Sequence, residues 1–151
     1  MYEKLLLEYT DKVEVYERNM RLKGLYSDNV IAISSRLNSS TEKACILAEE
    51  LGHHYTSAGD ILDQTKLSNV KQEKRARSWA YERLIPLNRL IDACAAGCRN
   101  RYELAEYLEV TEEFLDEAIK RYKEKYGLFY TVNNYTIYFE PLGVLNFFTQ
   151  K

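Results

Sequence analysis

One helix of this chain combines an apolar surface with four ionisable side chains, and this combination constrains the fold more than any other feature. Residues 41 to about 55 are predicted to be helical, with Ser39 as the N-cap and Glu42 in the position of a capping box. The apolar residues are Ala44, Ile46, Leu47, Ala48 and Leu51. They cover much of the circumference, which predicts a buried central helix. The ionisable residues are Glu49, Glu50, His53 and His54. Because charged groups need partners when they leave water, these four predict a site.

The spacing of the ionisable residues is close to that of H-E-x-x-H. In that motif two histidines four residues apart bind one zinc ion, and the glutamate between them is the general base. Here Glu50-Leu51-Gly52-His53 reproduces E-x-x-H, and Glu49 takes the first histidine position. Glu49 and His53 are one turn apart on one face, and carboxylate is a known zinc ligand. Gly52 favours close packing of another element on this helix. The alternative from these residues alone is a solvated acid pair beside two histidines that bind nothing.

Two segments of the chain also resemble the signatures of a known family. Residues 41–55, TEKACILAEELGHHY, are similar to the active-site helix of ImmA/IrrE-type metallopeptidases. Residues 73–86, EKRARSWAYERLIP, resemble the second signature of that family, in which an acidic E-x-E-A precedes an aromatic-Ala pair and a proline. The resemblance covers roughly residues 22 to 92. It implies a minimal zincin-like core, a zinc cofactor and endopeptidase activity.

The resemblance also implies roles for individual residues. His53 would be a zinc ligand and Glu50 the catalytic base that takes a proton from the attacking water. Glu49 would replace the first ligand histidine, and Glu73 would be the third ligand. Two carboxylate ligands would neutralise Zn²⁺ and make its bound water less acidic, so we expect slow turnover or loosely held metal. An oxygen-rich donor set also accepts Mn²⁺.

The chain departs from the family pattern in two places. Glu49 is not histidine, and Arg75 stands where many members have the second acid of E-x-E-A. His54, Asp60 and Asp63 are alternative ligands if Glu73 points elsewhere. A solvated acid is the competing interpretation of Glu73, because basic residues surround it in the sequence. These are Lys71, Lys74, Arg75 and Arg77.

The rest of the N-terminal part reads as helices around a small sheet. Residues 2 to about 20 show apolar residues at helical spacing and are predicted to form one amphipathic helix. Residues 30–33 are β-branched and bounded by turn residues, which predicts a strand, with residues 25–26 as its hairpin partner. We expect the strand at 30–33 to accept an extended substrate segment by strand addition. Further helices are predicted at about 70–84 and 87–96.

The C-terminal part has the pattern of a helix-turn-helix followed by a hairpin. Helices are predicted at 101–108 and from Thr111, as its N-cap, to Gly127, with a hairpin at 128–139 closed by Pro141 and Gly143. The residues at the start of the second helix are Glu112, Glu113, Asp116 and Glu117. They would repel phosphates, so DNA contact is not expected. The predicted fold is α+β, with a zincin-like core at 1–96 and a winged-helix-like extension at 97–151.

Composition excludes several classes of function. The formal charge of -2 over 151 residues argues against binding nucleic acid through bulk charge. No apolar run approaches the roughly 20 residues that span a bilayer, and no signal peptide is visible. The three cysteines, an odd number without a secretion signal, predict free thiols in a cytoplasmic protein.

These observations lead to one main hypothesis and two alternatives. The main hypothesis is a zinc-dependent endopeptidase that cleaves a helix-turn-helix repressor, the partner that the family implies, and so derepresses phage or mobile-element genes. The first alternative is a non-catalytic antirepressor, which binds the repressor with the same fold. The second is a DNA-binding regulator, based on the helix-turn-helix pattern alone.

Overall fold

The computed structural model describes residues 1–57 and 66–146, which fall into two compact units, Met1–Leu84 and Ile85–Lys151. The elements of the first unit are α1 (Tyr2–Tyr9), β1 (Glu14–Arg18), β2 (Gly24–Ser27), β3 (Val30–Ser34), α2 (Ser40–Thr56) and α3 (Lys66–Leu84). The predicted α+β class is confirmed. The functional division at residue 96 stays a prediction, because compactness alone does not define a peptidase core.

The first unit contains a three-stranded sheet with β3 in its centre. β1 pairs with β3 in parallel and β2 pairs with it antiparallel. Ile31 and Ile33 alternate onto one face of β3 and are fully buried. The predicted strand at 30–33 and its hairpin partner at 25–26 are both confirmed.

The single helix predicted for residues 2–20 is wrong. The chain is helical only to Tyr9, and Glu14–Arg18 form β1. Leu5, Tyr9 and Val13 are buried at helical spacing, but Tyr16, which continues that pattern, is 47% exposed. Pairing with β3 outweighs the local helical period in this segment, since strand formation depends on partners distant in sequence.

α2 begins and packs as the sequence indicates. The Ser39 hydroxyl accepts a hydrogen bond from the Glu42 backbone N–H at 3.1 Å, which confirms the predicted N-cap. A Cβ atom on Gly52 would lie 2.1 Å from the carbonyl oxygen of Ala76 on α3. The predicted close approach of another element at Gly52 is therefore confirmed, and that element is α3.

Residues 85–146, the described part of the second unit, contain three helices and a second small sheet. Its elements are α4 (Leu87–Ala95), α5 (Arg101–Leu108), α6 (Glu112–Tyr126), β4 (Phe129–Val132), β5 (Tyr135–Phe139) and β6 (Leu142–Asn146). Thr111 caps α6 by accepting a hydrogen bond from the backbone N–H of Phe114, as predicted.

The expectation that the hairpin ends at Pro141 and Gly143 is wrong, because β6 adds a third antiparallel strand beside β5. Its identity as a winged helix-turn-helix stays a prediction.

None of the helices within the described residues is long and apolar enough to cross a membrane.

Candidate active site

A cleft of about 480 Å³ lies where β2, α2 and α3 meet in the first unit. Residues 24–28, which form β2 and the start of its turn, provide one wall. Glu50 and His53 of α2 and Glu73 of α3 are among the residues that line the rest. Three of the side chains predicted from the sequence therefore face one solvent-accessible space.

His53 and Glu73 are in direct contact. His53 Nε2 lies 3.0 Å from Glu73 Oε2, and the two side chains are 23% and 43% exposed. The second carboxylate oxygen of Glu73, Oε1, accepts a hydrogen bond from Arg77 Nε at 3.1 Å. Glu73 therefore bridges an imidazole and a guanidinium, which a simple solvated acid would not do.

The pKa of Glu50 is shifted toward neutral pH. Its partial burial, reinforced by the negative charges of Glu49 and Glu73, raises the pKa of Glu50 to about 7. A carboxyl group with this pKa can both take and return a proton near neutral pH. Strand β2 approaches it closely, since a Cβ on Gly24 would lie 2.9 Å from Glu50 Oε1. The glycine thus leaves the space that the Glu50 side chain occupies.

The charge of Glu49 acts on Arg77. Burial lowers the pKa of Arg77, but the charges of Glu49, Glu73 and Tyr81, together with the hydrogen bond to Glu73, raise it overall. Arg77 is thus held electrostatically by the residue in the first histidine position of the motif and by the predicted third ligand.

Comparison with protein families gives a direct match. The model of Peptidase M78, described as the IrrE N-terminal-like domain, matches residues 3–120. The chain belongs to the Peptidase M78 family. The ImmA/IrrE resemblance is thereby confirmed, and the match extends beyond residues 22–92 to include α1 and most of α6. No curated protein and no solved structure matched the chain.

The M78 family implies a zinc ion, so the donor set needs to be compared with what zinc requires. His53 and Glu73 provide a nitrogen and an oxygen donor 3.0 Å apart, on two different helices. Zinc accepts both donor types but generally takes three protein ligands at catalytic sites. Within residues 1–57 and 66–146, no group of three His, Cys, Asp or Glu side chains is arranged to hold a metal. Two described side chains therefore carry donor atoms of the types that zinc accepts, whereas a zinc site, with Glu49 as a ligand, stays a prediction.

Among the predicted alternative ligands of this M78 chain, His54 contacts aromatic side chains. His54 Nδ1 lies 2.8 Å from the hydroxyl of Tyr26, and its ring meets those of Tyr26 and Tyr55 edge-on. Asp60 and Asp63 lie outside the described residues. Nothing within the part of the chain that the structure describes brings His54 to the pair formed by His53 and Glu73.

Two further residues, Tyr26 and Arg77, contact the candidate site and are not predicted by the sequence. Tyr26 lines the cleft and holds His54, a pairing across 28 positions that no local pattern reveals. In the sequence, Arg77 is one of several cations around Glu73. Its position four residues after Glu73, the spacing at which oppositely charged side chains meet on a helix, was the available signal.

Proposed function

We propose that the protein is a zinc-dependent endopeptidase that cleaves a helix-turn-helix repressor and so derepresses phage or mobile-element genes. One observation carries this proposal: Glu50, with a pKa of about 7, shares a cleft with His53 and Glu73. A base poised near neutral pH beside zinc-type donors is what peptide hydrolysis needs. Membership of the M78 family supports the same reaction class.

The substrate would bind along β2. The expected strand addition at 30–33 is wrong, because β3 is paired on both sides, with β1 and with β2. β2 is at the end of the sheet among the described strands, and it borders the cleft. An extended peptide added to this edge would run past Glu50, with backbone hydrogen bonds fixing its register.

Glu50 would carry the proton through the reaction. In its ionised form the carboxylate takes a proton from the attacking water, and in its neutral form it returns that proton to the leaving amine. A pKa of about 7 keeps both forms accessible. A bound zinc ion would polarise the scissile carbonyl and acidify water. His53 and Glu73 would hold it, with Glu49 as the predicted third ligand.

The test is incubation of the purified, zinc-supplemented protein with a helix-turn-helix repressor whose gene lies beside its own, followed by mass spectrometry of the products. Glu50→Gln is nearly isosteric with the parent and should lower the cleavage rate roughly 100-fold or more. Glu106→Gln, at an exposed position in the second unit, is the matched control and should cleave normally. Equal cleavage by the parent protein and Glu50→Gln would rule out this role for Glu50.

A non-catalytic antirepressor is the second candidate, and a specific observation favours it. Glu49 and Glu73 both interact with Arg77, and no three-donor group is formed within the described ranges. A protein that only binds the repressor needs neither metal nor base. In cells, Glu50→Gln would abolish derepression by an enzyme, whereas derepression by a binding protein would continue with the repressor intact.

A further inference from the structure

We propose that the half-exposed cation Arg77 competes with a metal ion for the carboxylate of Glu73, and thereby lowers the metal affinity of the site. This inference rests on the proposed function in one respect, namely that the cleft binds a metal ion. It does not depend on hydrolysis. It assigns a role to a residue outside both the E-x-x-H motif and the predicted ligand set.

The first support is geometric. Arg77 Nε donates to Glu73 Oε1 at 3.1 Å, and Glu73 Oε2 lies 3.0 Å from His53 Nε2. Both oxygens of the predicted third ligand are therefore engaged. A metal ion bound between His53 Nε2 and Glu73 Oε2 replaces the contact between those two atoms, and one bound through Glu73 Oε1 competes with Arg77 Nε for that oxygen.

The second support is the balance of charge. Glu49 in place of histidine adds one negative charge to the predicted donor set, and Arg77 adds one positive charge beside it. The charges of Glu49 and Glu73 both act on the guanidinium. With Arg77 included, the cluster has the same net charge as a site with two histidines and one glutamate. Arg77 thus stabilises the carboxylates when no metal ion is bound, and its positive charge repels an incoming metal ion.

A residue that strengthens metal binding would make the same hydrogen bond to Glu73 as Arg77 does. A hydrogen bond to the free oxygen of a ligating carboxylate often orients that ligand and strengthens metal binding. If Arg77 only oriented Glu73, its removal would weaken zinc binding. Competition requires the reverse, because removal frees Glu73 and eliminates a repulsive charge. The sign of the change in affinity therefore separates the two roles.

Arg75 provides a matched control on the same helix. It is exposed and lies two positions before Arg77, which places it about 200° away around α3. Arg75→Gln removes the same charge with the same side-chain change. It leaves the hydrogen bond between Arg77 and Glu73 in place.

The experiment is a zinc titration of the full chain, stripped of metal with a chelator, at fixed pH and ionic strength, using a competing indicator. Arg77→Gln is expected to bind zinc roughly tenfold more tightly than the parent, the effect of one nearby charge at intermediate dielectric. Arg75→Gln should stay within about twofold of the parent, since a more distant exposed charge is screened. Circular dichroism and thermal unfolding would verify that each variant is folded.

A second variant keeps the proposal testable if Arg77→Gln does not fold. Arg77→Lys retains the charge but loses the Nε donor to Glu73, so it should tighten zinc binding by a smaller factor, roughly threefold. The proposal is overturned if Arg77→Gln binds zinc no more tightly than Arg75→Gln, or if it binds none. Failure of repressor cleavage would contradict the proposed function and leave this result standing, because the titration involves no substrate.

Discussion

Gly52 of α2 lies against the backbone carbonyl of Ala76 on α3, so closely that a Cβ atom at residue 52 would be 2.1 Å from the carbonyl oxygen. This contact fixes how the two helices meet. His53 follows Gly52 directly and Glu73 lies one turn before Ala76, so the same approach brings their side chains within 3.0 Å. The glycine therefore shapes the candidate site without belonging to it.

Gly52→Ala should separate the two helices. The added methyl group meets backbone, which cannot rotate away as a side chain can, so α2 and α3 must move apart. We expect the free energy of unfolding to fall by roughly 2–4 kcal/mol, despite a gain of about 1 kcal/mol in helix propensity. Chemical denaturation measures this change. Zinc affinity of the folded fraction should fall as well, because His53 and Glu73 would no longer be adjacent.

Gly143→Ala is the control for that substitution. A Cβ at residue 143 would have nothing within 4 Å. Its unfolding free energy should stay within about 0.5 kcal/mol of the parent. Similar losses in the two variants would show that the contact at Gly52 has no special role.

Local patterns were sufficient to predict most helices of the chain. α2 was predicted almost to its ends because a capping serine, a capping-box glutamate and an apolar surface mark it in consecutive residues. β1 was missed because Glu14–Arg18 become a strand only through pairing with β3, about 16 residues away. β6 was missed for a related reason, since Pro141 and Gly143 look like an end until β5 provides a partner.

In the candidate site, too, local sequence predicts the residues of one helix but not their partners on another. Spacing within α2 identified Glu50 and His53 together, because both lie on one helix. Their relation to Glu73 depends on the packing of α2 against α3, which Gly52 indicates without naming the partner. The resemblance to the family provided that partner, and the contact between His53 and Glu73 agrees with it.

The raised pKa of Glu50 predicts a pH-dependent stability for the metal-free protein. The pKa is about 7 in the folded state against 4.5 for an unperturbed group. The stabilising contribution of protonation is therefore fully present below about pH 4.5 and is lost as pH rises through about 7. A shift of this size corresponds to roughly 3 kcal/mol.

Comparison with Glu50→Gln isolates this effect. Unfolding free energies of both proteins, measured in chelator between pH 5 and 8, should diverge as pH rises, with the parent losing stability relative to the variant. The difference cancels contributions from other titrating groups. A constant difference across this range would mean that Glu50 titrates as an ordinary exposed carboxyl group.

The start of α6 predicts no salt-dependent DNA binding. Arg101 of α5 contacts Glu112 at 3.4 Å and Asp116 at 2.9 Å in this region. A recognition helix presents its N-terminal residues to the DNA, and these carboxylates would repel phosphates. A gel shift at low salt should show no complex with duplex DNA. A complex that weakens steeply as salt increases would instead support the DNA-binding alternative.

Zinc binding should depend on His53 and Glu73 and be indifferent to His54. Removing either donor of the contacting pair leaves too few ligands, so His53→Ala and Glu73→Ala should each weaken zinc binding at least 100-fold. His54→Ala is the matched histidine control, because the His54 ring is hydrogen-bonded to Tyr26.

The measurement is the metal content of protein purified without chelator or histidine tag, determined by mass spectrometry. About one zinc per chain in the parent and in His54→Ala, and none in the other two, is the expected result. Loss of zinc only in His54→Ala would instead place the metal site at His54, beside Tyr26.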